Sequence, residues 1–300
     1  MTVDVACLGA PFLDLVFHGL GHLPEPGEEV LAGGLVIVPG AMANVAFALR
    51  QLGLEAVVCA PIGSDPAGRL LKQLMDEAGI PWLGGASGAT PVSVALPIDG
   101  ERAFVTIHPA ADLDLDLVAG LAPRAVVANL PLPRGLADGP RLYGVIGDPQ
   151  VAILLGRPDD DWAALRALFL NEREARQLSG LADPAAAARQ LAERGCLVVL
   201  TLGGHGALGA WPDGRLISSA GVPAATRDTV GAGDLFAAAF IWADLAGMPI
   251  EDCLAAANAY ASHSLVAPPA GQKGIDLATF HRVTDAGFRS PDGGGSRMTF

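Results

Sequence analysis

A chain of 300 residues, 51% hydrophobic and 17% charged, has the length for one large domain or a domain plus a subdomain. That composition supports a sizeable core and excludes disorder for most of the chain. A formal net charge of −13 argues against a nucleic-acid backbone as partner, but not against a nucleotide held in a local site.

Residues 3–9 (VDVACLG) predict a short buried strand, and Asp14 follows its closing glycine. Residues 15–38 carry turn signals and then the apolar run Leu35 to Val38, the texture of a hairpin or small sheet. In PGAMANVAFALRQLG, Pro39 and Gly40 predict a turn, Ala43 to Leu52 a helix, and Gly53 its stop. The rhythm repeats, with a strand at 56–60, a loop at Gly63, Asp65 and Gly68, and a helix from Arg69 to Ala78. Thr90 to Ile107 reads as two short strands around Asp99 and Gly100. Strands near 125–129, 142–146, 167–170 and 197–202 then alternate with helices near 113–120, 160–166, 172–179 and 184–194. Apolar strands alternating with helices predict an α/β fold, a mostly parallel sheet covered on both faces. Ligands of such sheets bind beyond the carboxyl ends of the strands, so Asp14, Gly40, Asn171, Gly203 and Asp234 are expected along one rim. The two hairpin-like stretches, 13–38 and 89–108, are expected to form a small β-sheet lid over that rim. Residues 1–12, 39–88 and 109–288 would form the α/β core, and 289–300 a flexible tail.

The most informative stretch is DTVGAGDLFAAAF, Asp228 to Phe240. Gly231, Ala232 and Gly233 permit a tight turn and close approach of a ligand to the backbone. A helix starting there offers unpaired N–H groups and a partial positive charge to an anion. Asp234 at that mouth can act as a general base, but spacing alone equally allows a glycine-rich turn with a capping acid. Other features point away from chemistry. DLDLDL (112–117) reads as a solvated face, the six histidines have no metal spacing, and His205 reads as a loop residue facing solvent. Cys7, Cys59, Cys196 and Cys253 lie far apart in apolar contexts and read as buried reduced thiols. The segment after Asp234 is apolar for only nine residues, too short to span a bilayer. The start, MTVDVACLGA, lacks a basic leader pattern. The expectation is a cytoplasmic protein with no membrane and no nucleic-acid partner.

DTVGAGDLFAAAF, PGAMANVAFALRQLG, PIGSDPAG, DGERAF, NEREARQLSG and VVLTLGGHGAL stand in an order that resembles the ribokinase-like, or PfkB, carbohydrate kinases, from residue 3 to about 275. The resemblance implies a three-layer α/β/α fold and ATP- and Mg2+-dependent phosphorylation of a hydroxyl on a sugar or sugar-like substrate. It implies Asp234 as catalytic base and the N–H groups of Gly231, Ala232 and Gly233 as an anion hole. Asp14, Gly40 and Asn44 would bind the acceptor. Asn171, Thr201, Gly203, Gly206 and Asn258 would hold the nucleotide, and Glu174 would hold Mg2+ through water. Asp228 and the carbonyl of Val230 correspond to a monovalent-cation loop, implying K+. Related kinases pair through the lid, which implies a homodimer. Two readings compete with NEREA and Asn258 as ligands: a capped helix start, and a satisfied polar group inside a helix.

The sequence also departs from the family. Pro39 stands where a first glycine is frequent, the ribose-specific GGKGAN pattern is missing, ANLPLP around Asn129 lacks an acid found in ribokinases, and a frequent D-x-N reads Asp148, Pro149, Gln150. These blur the acceptor and disfavour ribose. A nucleoside kinase and a catalytically silent binding protein of the same fold stand as alternatives.

Overall fold

The structure is a computed structural model, and it describes residues 2–98, 101–109, 112–133, 135–136, 139–157, 162–223, 229–266 and 273–287. In chain order the elements begin with strands β1 (Val5–Leu8), β2 (Pro11–His18) and β3 (Gly34–Ala41), then helix α1 (Met42–Gln51). There follow β4 (Ala56–Cys59), β5 (Ile62–Gly63), α2 (Pro66–Glu77), β6 (Trp82–Leu83), β7 (Ala86–Ser87), β8 (Val92–Ile98) and β9 (Glu101–Ile107). The middle holds α3 (Leu115–Leu121), β10 (Ala125–Asn129), β11 (Arg141–Val145), α4 (Asp148–Leu155), β12 (Leu165–Asn171), α5 (Glu172–Ser179) and α6 (Pro184–Ala192). The last part comprises β13 (Leu197–Thr201), β14 (Gly206–Ala210), β15 (Leu216–Ala220), α7 (Ala232–Leu245), α8 (Ile250–Ser264) and α9 (Leu277–Gly287).

A nine-stranded sheet with order β15-β14-β13-β12-β11-β10-β1-β4-β6 forms the centre. Its pairings are parallel from β13 through to β6, and β14 and β15 join one edge antiparallel. Alternate residues of each central strand enter different cores. Val5, Cys7, Val58, Val127, Phe169 and Val199 face the side covered by α1, α7 and α8. Ala6, Leu8, Val57, Val126, Leu168, Val198 and Leu200 face the side covered by α3, α4, α5 and α6. Burial on both faces explains why these strands read as continuous apolar runs. It also makes α7 apolar on every side, with Leu235 to Ile241 all buried. Each large side chain buried there contributes about 1.5–3 kcal/mol.

A second, four-stranded sheet, order β3-β2-β8-β9, carries the segments expected as a lid. β2 pairs antiparallel with β3 along its whole length, so that Phe12 sits opposite Gly40 and Asp14 opposite Val38. β2 then pairs in parallel with β8.

Three expectations need correction. Among the described residues the helix expected near 160–166 is replaced by a strand start, because Leu165 and Arg166 already belong to β12 and Leu165 pairs with Leu142 of β11. The spacing of Trp162, Leu165 and Phe169 fits a helix as well as a strand, and pairing decides it. The helix after Gly63 starts earlier than Arg69: Asp65 caps it, accepting from the Gly68 N–H at 2.8 Å, with Pro66 in the first turn. Helices α4 and α9 and the β14–β15 hairpin stand where no element was expected. The four cysteines are free and buried. The 289–300 tail lies outside the described residues.

Candidate active site

The two halves of the expected site meet at the start of α7. Gly231 caps this helix in the left-handed region at φ 80°, a conformation that costs other residues about 1–2 kcal/mol. One turn in, Asp234 accepts a hydrogen bond from Asn44 Nδ2 at 2.9 Å, across 190 residues of sequence. Asn44 lies in the first turn of α1, so two helix starts converge on one carboxylate. Phe169 of β12 supports α7 from below, with ring centroids 6.5 Å from Phe236 and 5.1 Å from Phe240.

Asp14 completes the group. Its carboxylate lies directly against Gly40, where an added Cβ would fall 1.9 Å from Oδ2, so only glycine fits beside it. Burial first, and then the charge of Asp234, push the Asp14 acid up to about 7, while the Lys273 ammonium pulls in the opposite direction. Burial pushes Asp234 up to about 6, against the hydrogen bond from Asn44. Two partly buried carboxylates that resist ionisation at one rim can exchange protons near neutral pH. Their titrations are those of a coupled pair.

The N–H of Ala232 is already donated to the Thr229 carbonyl at 3.1 Å, so of the three expected anion-hole donors Gly231 and Gly233 are the better placed. A Cβ on Gly233 would meet nothing within 4 Å, which leaves the backbone there bare to a ligand. Asp228 lies outside the described residues. The carbonyl of Val230 accepts a hydrogen bond from Lys273 Nζ at 2.8 Å.

Asn171 and Thr201 close neighbouring strands and are partners across β12 and β13. Asn171 and Glu174 form a reciprocal cap on α5: Asn171 Oδ1 accepts from the Glu174 N–H at 2.9 Å, and Glu174 Oε2 accepts from the Asn171 N–H at 2.7 Å. Burial, outweighing the Asn171 N–H, pushes the Glu174 acid up to about 7, with the neighbouring Asp148 charge adding to the rise. Gly203 opens the turn after β13, and Gly206 starts β14. Backbone at Gly203 and Gly204 is open, since a Cβ there would meet nothing within 4 Å. Asn258 is buried on α8, and its Nδ2 donates to the carbonyls of Ser219 and Ala220 and to Ser219 Oγ. It ties the end of β15 to α8, so the reading as a satisfied polar group is met in the structure. His205 is exposed.

Lys273 reaches the site without belonging to any of the motifs above. Its signal was a single basic residue in an otherwise uncharged stretch before α9.

The family model for pfkB family carbohydrate kinases matches residues 4–116 and 160–271. This chain belongs to that family. As a pfkB kinase it is a phosphotransferase with an alcohol group as acceptor, and membership implies ATP as donor. The acarbose 7(IV)-phosphotransferase of Actinoplanes sp. is 27% identical over 282 residues, covering 86% of this chain and 91% of that protein. A fructokinase of Klebsiella pneumoniae is 29% identical, covering 85% and 89%. The bifunctional protein HldE of Halorhodospira halophila is 30% identical over 85% of this chain, which spans 58% of that protein's length. Among solved structures, a ribokinase of Arabidopsis thaliana complexed with ribose and ATP superposes with TM-score 0.75 at 23% identity, covering 94% of this chain and 99% of that one. An adenosine kinase of Sinorhizobium meliloti superposes with TM-score 0.74 at 21% identity, covering 95% and 100%. At these identities the superpositions speak for the fold, a three-layer ribokinase-like core with a small β-sheet beside it. Among the described residues no helix is long and apolar enough to cross a membrane.

Proposed function

We propose that this kinase transfers the γ-phosphoryl group of ATP to a hydroxyl of a sugar or sugar-like acceptor, with Asp234 as general base. The observation that carries the reading is the Asn44–Asp234 hydrogen bond, which joins the acceptor side to the helix start that faces the phosphates. Asp14 and Asn44 hold acceptor hydroxyls, the one accepting and the other able to donate and accept. Gly40 lets Asp14 lie close to the backbone. Asp234 takes the proton of the attacking hydroxyl, and the N–H groups of Gly231 and Gly233 receive the transferring phosphoryl at the positive end of α7. In-line positioning and charge neutralisation account for most of the acceleration in such chemistry.

The nucleotide lies over the open backbone of Gly203 and Gly204, between Asn171, Thr201 and the β14 start at Gly206, with Asn258 shaping the far wall. Mg2+, when bound, would offset the charge of the phosphates. Among the described residues no cluster of three or more acidic, His or Cys side chains could hold a metal. A lone buried carboxylate such as Glu174 suits an ion that keeps its own waters. The fourth strand of the lid sheet exposes Phe104, Val105 and Ile107, which favours pairing of two copies through the lid. A solution mass of twice the chain would support the dimer.

The test is a phosphorylation panel of ketoses, aldoses, amino sugars, oligosaccharides and nucleosides with ATP and Mg2+, run with wild type and Asp234→Asn. Product with wild type and a loss of at least a hundredfold in the variant is expected. Equal turnover by the variant would overturn the base assignment. ATP binding with no product across the whole panel would favour a silent binding protein.

A further inference from the structure

A monovalent cation was expected at the carbonyl of Val230, but that oxygen already accepts from Lys273 Nζ at 2.8 Å. We propose that Lys273 is the built-in cation of the anion-hole loop and makes the kinase independent of K+. The inference rests on the reading of the α7 start as the phosphoryl site.

The geometry gives the ammonium a specific task. The carbonyl of Val230 and the N–H of Gly231 belong to one peptide group, and in a trans peptide they point in opposite directions. A cation on the oxygen therefore turns the Gly231 N–H away from itself, toward the mouth of α7. It also polarises the peptide, which strengthens that N–H as a donor. A bound K+ would do the same from the same side, which is why one cation can stand for the other. Lys273 is a positioning residue in this scheme, since it acts through the Val230–Gly231 peptide.

Its own place is well determined. Gly274, next in the chain, adopts φ 151° and packs so closely that a Cβ would lie 3.1 Å from the Phe47 ring and 3.2 Å from the Tyr260 hydroxyl. Phe47 belongs to α1 and Tyr260 to α8. The two helices hold the segment that carries Lys273, and so place the ammonium beside Val230. The same ammonium is close enough to Asp14 to favour its ionised form. One side chain thus serves both the phosphoryl and the acceptor side.

The experiment compares wild type, Lys273→Met and Lys273→Arg in KCl, ammonium chloride and tetramethylammonium chloride, reading kcat, acceptor KM and thermal unfolding. Wild type is expected to show the same kcat and the same Tm in all three salts. Lys273→Met is expected to lose about tenfold or more in kcat in tetramethylammonium, the size of one charge-assisted hydrogen bond. K+ and ammonium should restore part of that loss and raise the Tm of Lys273→Met alone, and Lys273→Arg should retain most activity in every salt. Strong activation of the wild type by K+ would overturn the proposal, whether or not the variant folds. So would a Lys273→Met enzyme with full activity in tetramethylammonium, or one whose Tm and kcat ignore K+. The Tm readout needs no acceptor. A panel that yields no product would count against the kinase mechanism and leave the cation exchange standing, whereas K+ activation of a working enzyme would do the reverse.

Discussion

Helix α7 carries an aspartate near each end, Asp234 at its start and Asp244 at its finish, about 15 Å apart along the axis. Asp244 is buried and answered in full. Arg166 donates to both of its oxygens at 2.6 and 3.1 Å, Arg141 Nη1 donates at 3.1 Å, and the buried Tyr143 hydroxyl donates as well. Burial alone would raise the Asp244 acid, but the hydrogen bonds of Arg166 and Tyr143 and the charges of both arginines hold it below the ordinary value. Among the described residues Asp234 has the amide of Asn44 as its side-chain partner, and burial wins. The C-terminal aspartate is thus committed to holding the helix on β11 and β12. The N-terminal one is left poised, and a poised carboxylate is what a general base requires. The partners decide the difference against the helix dipole, which by itself would favour the ionised form of Asp234 at the positive end and disfavour that of Asp244 at the negative end.

The largest break of this contrast is Asp234→Asn. The loss in kcat should be about 10²–10⁴. The same change should stabilise the fold at pH 8 by roughly 1–2 kcal/mol, because it removes a carboxylate that is costly to ionise there. Kinetics and urea unfolding of one preparation check both; a destabilised variant would show that Asp234 is structural.

Next comes the carboxylate pair. Gly40→Ala should displace Asp14 and lower kcat/KM for the acceptor by about 10²-fold, the effect of a misplacement near 1 Å. The rate profile of wild type should fall on the acid side as Asp14 and Asp234 take up protons near pH 7 and 6. A profile flat down to pH 5 would remove both from the mechanism.

At the far end, Asp244→Ala should cost about 3 kcal/mol, by stranding the Tyr143 hydroxyl and releasing two arginines. The kcat per folded molecule should stay near wild type. The pH signs are opposite at the two ends. Asp244, with its acid lowered, contributes stability that is fully present above the ordinary value of 3.8 and is lost as pH falls from there through the lowered one. Asp234, with its acid raised from 3.8 to about 6, makes the fold less stable as pH rises between those values. Asp234→Asn should therefore exceed wild type in stability at pH 8 and converge on it as pH falls from about 6 to 4, whereas Asp244→Ala should keep a constant deficit over that range and approach wild type only below pH 4.

The smallest effect is expected at Ala41, the residue before α1, which holds φ 52° without being glycine. Ala41→Gly should raise stability by at most about 1 kcal/mol, relief of strain being partly offset by the entropy of the freer unfolded chain. A lowered Tm would mean that the Ala41 methyl packs more usefully than its backbone suffers.

Much of this molecule was legible in the residues themselves. Central strands buried on both faces appear as unbroken apolar runs, and small residues before an acid mark a helix start, because both depend on local composition. For the same reason the capping pair Asn171 and Glu174 could be named in advance. Tertiary structure decided what local sequence leaves degenerate. Leu165 and Arg166 could have continued a helix until pairing with β11 drew them into β12. The residue type of Asn258 leaves its partners open, and the fold brings its Nδ2 to the carbonyls at the end of β15. Asp234 and Asp244 are both acids on one apolar helix, and among the described residues two arginines and a tyrosine reach the one while an amide reaches the other, which separates the brace from the proposed base. Lys273 joins the site through a contact 43 residues away in sequence, and no periodicity announces a hydrogen bond closed across the fold.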